Sequence, residues 1–172
     1  STTCSNTCEG SAQGKPTTGS INGHEYVDLG LSVLWATCNI GATTSANKGT
    51  EFPFVRPDWY KEDDGGRAWY REFRLFVKAD TSICGTYLDI AKDKWGDKWR
   101  LPTRDEIREL ANNCKSELIP NEGYRLTSQI NGNSIIIPFT GVDYKNENIG
   151  ECWSGDTFTY DLDKDIIGAY VL

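Results

Sequence analysis

One helix entry near the middle of the chain constrains the fold more than any other stretch. Trp95-Gly96-Asp97-Lys98-Trp99-Arg100-Leu101-Pro102-Thr103 runs directly into Arg104-Asp105-Glu106-Ile107. Thr103 followed three residues later by Glu106 is a capping box: the hydroxyl accepts from the Glu106 amide, and the carboxylate reaches back to the Thr103 amide. Behind it, Ile107, Leu110, Ala111 and Cys114 fall at i, i+3, i+4 and i+7, one apolar stripe of a helix. Arg104, Asp105, Arg108, Glu109 and Asn112 take the opposite face. The spacing predicts a helix over about 104–113.

Around this entry the other elements fall into place. Leu88, Ala91 and Trp95 share a helical face, and Gly96 stands at the C-cap, so a second short helix is expected over about 87–95. Tyr26 to Leu31 and Val33 to Ile40 are strand-like, after a turn at Asn22-Gly23. Tyr124 to Ser128 and Ser134 to Phe139 read as a hairpin around Asn131-Gly132. Ile135-Ile136-Ile137 is a continuous apolar run, expected to be covered on both faces. Gly150 to Ser154 and Ile167 to Leu172 are expected as two further strands joined by an acidic loop. Phe52-Pro53-Phe54-Val55 fits a short edge strand, since proline cannot donate to a central ladder. Trp69 to Val77 fits either period and is read as strand or irregular. Its Arg67, Arg71 and Arg74 interleave with Trp69, Tyr70 and Phe73, a mix that covers an aromatic cluster more readily than it stacks bases or sugars.

Length and charge narrow the function. A chain of 172 residues suits one domain with a core of its own. Residues 1–20 are rich in Ser, Thr and Gly without an apolar period and read as a flexible tether, which leaves 21–172 as the domain. With 18 basic and 25 acidic side chains the formal charge is −7, which disfavours nucleic acid and anionic membrane surfaces as partners. No apolar run approaches the length of a membrane span, and no signal-peptide pattern opens the chain, so an exported protein is expected in its mature form. Catalysis has little to draw on. His24 is the one histidine, in a turn before the first strand, and no glycine loop carries the Lys-Ser/Thr of a phosphate site. The six cysteines, at 4, 8, 38, 84, 114 and 152, lack the short spacings of a zinc site, so a disulfide-bearing exported protein is the better reading.

Trp99-Arg100-Leu101-Pro102-Thr103-x-x-Glu106 resembles the "RLPT-x-x-E" helix entry of the formylglycine-generating enzyme branch of the C-type lectin-like fold. The wider pattern is similar to the Fibrobacter succinogenes major paralogous domain family, common in surface and secreted proteins of the Bacteroidetes. It comprises Glu25 to Val33, Trp35 to Ala42, Ile83 to Ala91 through Trp95-Gly96, Asn131 to Ile135, and Trp153-Ser154-Gly155, in that order over roughly residues 22 to 172. The resemblance implies an α+β, C-type lectin-like fold, with two short helices packed on a twisted, mostly antiparallel sheet. It also implies an exported setting at the outer-membrane surface or outside the cell, with a lipid anchor upstream of residue 1 as an analogy. The family pattern continues beyond the Ala169-Tyr170-Val171-Leu172 strand to a closing strand, so a partner segment completing the sheet is one expectation.

Against that family, Cys84 and Cys152 replace a small polar residue and an aromatic one, which implies that they pair. Cys38 and Cys114 then form a second bridge or stay as buried core thiols, and Cys4 with Cys8 closes a small terminal loop. The formylglycine-generating activity is not expected, because Cys152 is the one cysteine near the C-terminus where those enzymes need a cysteine pair or a copper thiolate site.

In C-type lectin-like domains the ligand surface lies on long variable loops. Carried onto this chain, that points to residues 55–72 and 155–165, with Trp59, Tyr60, Trp69, Asp156, Phe158 and Tyr160 as candidate ligand contacts. Asp161, Asp163 and Asp165 alternate as calcium-binding carboxylates do, but Ile166 stands where a calcium loop of the EF-hand kind needs Gly. A solvated acidic turn is the simpler reading, and no cofactor is expected. The functional expectation is therefore a non-catalytic binding or assembly module of an exported surface protein, taking a protein or glycan ligand. The alternatives are a carbohydrate-binding lectin, with or without calcium, and a structural subunit of an outer-membrane or fimbrial assembly.

Overall fold

A computed structural model of the chain describes residues 7–8, 17–52, 81–142, 148–150, 153–161 and 166–171. For 7–8, 142, 148–149, 153, 157–161 and 166–171 the backbone alone is described.

Alternation decides the layering. On β3 (His24–Val27) Tyr26 and Val27 are both buried but belong to different cores, and on β4 (Leu34–Ala36) Leu34 and Ala36 go one way while Trp35 goes the other. Successive side chains of a strand point to opposite faces, so an unbroken apolar strand is one covered on both sides. At 2, 0 and 1 % exposure, Leu34, Trp35 and Ala36 meet that condition. These strands are the middle of a five-stranded sheet, ordered β2 (Thr18–Ile21), β3, β4, β1 (Thr7–Cys8), β5 (Trp99–Arg100), with every pairing antiparallel. Its hairpin between β2 and β3 turns on Asn22 and Gly23, at φ of 53° and 79°. The two-residue turns that match strand twist require φ > 0 at both positions, which is why Asn-Gly is favoured there.

One face of this sheet carries α1 (Ile90–Trp95), and its core joins Tyr26, Leu34, Ile90, Trp95, Trp99 and Leu101. The other face carries α2 (Arg104–Asn113) and a three-stranded antiparallel sheet, ordered β6 (Cys114–Ile119), β7 (Gly123–Ser128), β8 (Ser134–Pro138). There Trp35 meets Ile107, Leu110, Leu126, Ile135 and Ile137. Two smaller antiparallel pairs follow, β9 (Gly141–Val142) with β10 (Asn148–Ile149), and β11 (Trp153–Asp161) with β12 (Ile166–Val171). The class is mixed α+β, as the sequence predicts.

Polar contacts hold the second layer to the first. Ser128 donates its hydroxyl to the Leu29 carbonyl at 2.6 Å, and Asn131 and Asn133 both donate to the Asp28 carbonyl, at 2.9 and 2.8 Å. The β7–β8 turn is thereby clamped onto the bend after β3. On the far side, Glu109 of α2 accepts the Ser32 amide at 3.0 Å.

Several expectations are corrected. The tether over 1–20 contains β1, hydrogen-bonded between β4 and β5, and most of β2. Short polar segments join a sheet through their backbone amides and need no apolar period to do so. Cys114 does not extend α2: it is the first residue of β6, buried from there on the same core. Strand structure over 114–119 was masked by Lys115, Ser116 and Glu117, whose polarity gives no alternation. The first helix begins at Ile90, and the two early strands are shorter than the apolar pattern, at 24–27 and 34–36. Residues 155–161 lie in β11, so much of the expected acidic loop is strand. The segment Trp69 to Val77 and the short strand expected at Phe52 to Val55, beyond Phe52 itself, lie outside the described residues.

Candidate functional site

The helix entry is built as its spacing predicts, and it gathers more than the cap. The Thr103 hydroxyl accepts the Glu106 amide at 3.2 Å, while the Glu106 carboxylate accepts the Thr103 amide at 2.8 Å. The same carboxylate takes both guanidinium nitrogens of Arg100, at 2.6 and 2.9 Å, in a bidentate pair. Both side chains are mostly covered, at 18 and 13 % exposure. Burial by itself pushes the Glu106 carboxyl up. The Arg100 hydrogen bonds, the Thr103 amide and the guanidinium charge outweigh it and hold the group below its ordinary value.

Two more carboxylates converge on this junction. Asp89 is fully buried and accepts four backbone amides: Ala91 and Lys92 at the start of α1, Gly85 in the preceding turn, and Leu101 after β5. Burial pushes the Asp89 carboxyl up, against the pull of those four amides. Asp156 accepts the Arg104 amide at 2.7 Å, adding a negative charge to the N-terminal turn of α2. The start of β11 is threaded into place by the Gly155 amide on the Pro102 carbonyl and the Ile83 amide on the Gly155 carbonyl, both at 2.8 Å.

The structure thus gives Asp156, a candidate ligand contact, a role inside the scaffold. Phe158, Tyr160 and Asp161 lie in β11, where the backbone alone is described. Trp59, Tyr60, Trp69, Asp163 and Asp165 lie outside the described residues, as do Cys4 and Cys152; of Cys8 the backbone alone is described, in β1. Among the described residues no group of three or more His, Cys, Asp or Glu side chains converges as a metal site.

Cys38, Cys84 and Cys114 are free thiols. The Cys38–Cys114 bridge does not form, because the two lie in separate regions. Cys38 stands beside His24 and Trp95 on the α1 side, and Cys114 belongs to the core under α2. Cys84 turns its sulfur to the Pro102 carbonyl at 3.6 Å, and Cys152, its expected partner, lies outside the described residues. Burial pushes its thiol up to about 11.

The chain matches no family model, no curated protein and no solved structure.

A feature that the sequence does not announce lies on the α1 side. His24 is the first residue of β3, its ring stacked on Trp95 with centroids 4.1 Å apart and set edge-on to Trp99. Burial lowers its pKa. A polar cavity of about 300 Å³ opens beside it, bounded by Glu25, Thr37, Cys38 and Thr43. The one available signal is the Asn22-Gly23 turn, which fixes His24 as the first strand residue and so aims it at the tryptophans.

Proposed function

We propose that the chain is a non-catalytic binding or assembly module of an exported cell-surface protein. In this reading the scaffold is C-type lectin-like and carries variable loops, chiefly 55–72, for a protein or glycan ligand. The supporting observation is the use to which its buried and half-buried acidic groups are put. Asp89, Asp156 and Glu109 each accept a backbone amide from a distant segment, and Glu106 closes the cap of its own helix. Carboxylates so engaged hold a frame in shape, whereas catalytic acids and bases face a substrate. The ordered resemblance from Glu25 to Gly155 supports the surface setting. Cys38, Cys84 and Cys114 are thiols, so the export reading leans on that resemblance.

The test is binding by the intact chain to a glycan array, with and without EDTA, and to a panel of purified exported proteins. A Trp59→Ala/Trp69→Ala variant is run in parallel. The expected result is a retained partner whose binding the double substitution abolishes while the melting temperature stays unchanged. No binding on either panel, or binding indifferent to the substitutions, overturns the reading.

A further inference from the structure

The open edge of the three-stranded sheet is self-complementary in one register only. β6 pairs with β7 on one side, and Lys115, Ser116, Glu117 and Leu118 are all exposed, Leu118 at 56 %. Among the described residues nothing pairs with this edge, and a bare edge strand is a template for another strand. Which amides face outward follows from the ladder. Cys114 pairs with Ser128, and one step before it Gln129 donates its amide to the Asn113 carbonyl. In antiparallel pairing hydrogen-bonded and non-hydrogen-bonded pairs alternate. Residues 113, 115, 117 and 119 thus bond to β7, and the amides and carbonyls of Cys114, Ser116 and Leu118 point to the open side. The opposite neighbour agrees, since Phe139 donates to the Glu122 carbonyl and Ser128 to that of Asn133, which assigns the even residues of β7 to β8.

A second copy added antiparallel about a two-fold axis must match outward residues with outward residues. Three central registers satisfy this. With Lys115 on the axis, two lysines oppose each other, and with Glu117 on it, two glutamates do. With Ser116 on the axis, Lys115 of each copy faces Glu117 of the other, twice. These are non-hydrogen-bonded pairs, the closer kind, where opposite charges stabilise and like charges oppose. The same register sets Leu118 of one copy opposite Cys114 of the other. There it meets the mouth of an apolar groove of about 290 Å³, lined by Cys114, Ser116, Tyr124, Leu126 and Ile137 under the C-terminal end of α2. We propose that two copies of this chain associate through β6, with Ser116 on the two-fold axis, to make a continuous six-stranded antiparallel sheet. The interface is independent of the ligand reading above.

Sedimentation of the intact chain and two charge variants tests this. Wild type is expected to dimerise, more weakly as salt rises. Lys115→Glu places glutamates opposite glutamates and Glu117→Lys places lysines opposite lysines, so each alone should lose about tenfold or more in dimer affinity. Mixed in equal amounts, the two restore both opposite-charge pairs and should form a heterodimer. Ser116→Pro removes an outward amide without touching a bond to β7, and should also give a folded monomer. A wild type that stays monomeric into the millimolar range overturns the proposal. So does a dimer indifferent to both charge reversals, or a mixture that fails to associate.

Discussion

The Asp89 carboxylate accepts the Leu101 amide at 2.9 Å, across twelve residues of chain. The cap of α1 is therefore also the anchor of the segment that enters α2. Removing it frees two elements at once. Asp89→Ala leaves four amides in or near the core without an acceptor, and is expected to cost about 3 kcal/mol or more in chemical denaturation. Asp89→Asn keeps the shape but turns an NH₂ group toward two of those donors, so it too is expected to destabilise. Because burial raises the Asp89 carboxyl in the folded state, its ionisation opposes folding. Its contribution is greatest below the ordinary carboxylate value and declines as pH rises through the raised one. Asp89→Asn should remove that slope. A variant as stable as wild type would mean that the four amides have other acceptors.

Glu106 titrates in the opposite sense. Its folded value is held below the ordinary glutamate value of 4.5, so its contribution is present above that pH and is lost as pH falls through the lowered value. Glu106→Gln is expected to cost about 2 kcal/mol at neutral pH, through loss of the charged pair with Arg100. The gap between the two proteins should then close as the solution is acidified below 4.5. Urea midpoints at several pH values measure it, and a gap that is constant with pH would show that the charge contributes nothing.

Trp35 and Trp99 are both 0 % exposed, yet they differ in one hydrogen bond. The Trp99 indole donates to the Ile21 carbonyl at 3.0 Å, and the Trp35 indole nitrogen has no partner among the described residues. Replacement by Phe removes similar volume from each core. At Trp99 it also strands an acceptor, while at Trp35 it removes a donor already unpaired. Trp99→Phe should therefore be the more destabilising by about 1–3 kcal/mol. Equal losses in guanidinium denaturation would show that a buried water serves Trp35.

Local chemistry explains what was legible. The Thr103–Glu106 cap, the Gly96 C-cap, the Asn22-Gly23 turn and the β7–β8 hairpin all depend on residues within a few positions of one another, and each forms as the sequence predicts. The apolar run Leu34-Trp35-Ala36 marks a strand, but its two-sided burial depends on layers that arrive much later in the chain. Contacts between distant segments left no sequence signal. Thr7–Cys8 pairs with a strand far along the chain, and nothing around Asp89 or Asp156 tells which distant amide each will meet. For the candidate site, residue type identified groups with chemistry to offer. It did not tell which amide a carboxylate would meet, as Asp156, which accepts the Arg104 amide, shows.

Cys84 offers a direct reading of how tightly the helix entry is closed. Its sulfur lies between the Pro102 carbonyl and Gly155, where a Cβ added to the glycine would collide with it. Burial raises the thiol to about 11, so at pH 8 roughly one molecule in a thousand carries the reactive thiolate. Alkylation by iodoacetamide is expected to be negligible in the folded protein and complete in denaturant without any reductant. Peptide mass spectrometry separates the outcomes. Protection that persists in denaturant until reductant is added would mean that Cys84 is in a disulfide, restoring the bridge that its position relative to the family pattern implies. Gly155→Ala should have the opposite effect, forcing β11 away from the junction and exposing Cys84 to the reagent under native conditions.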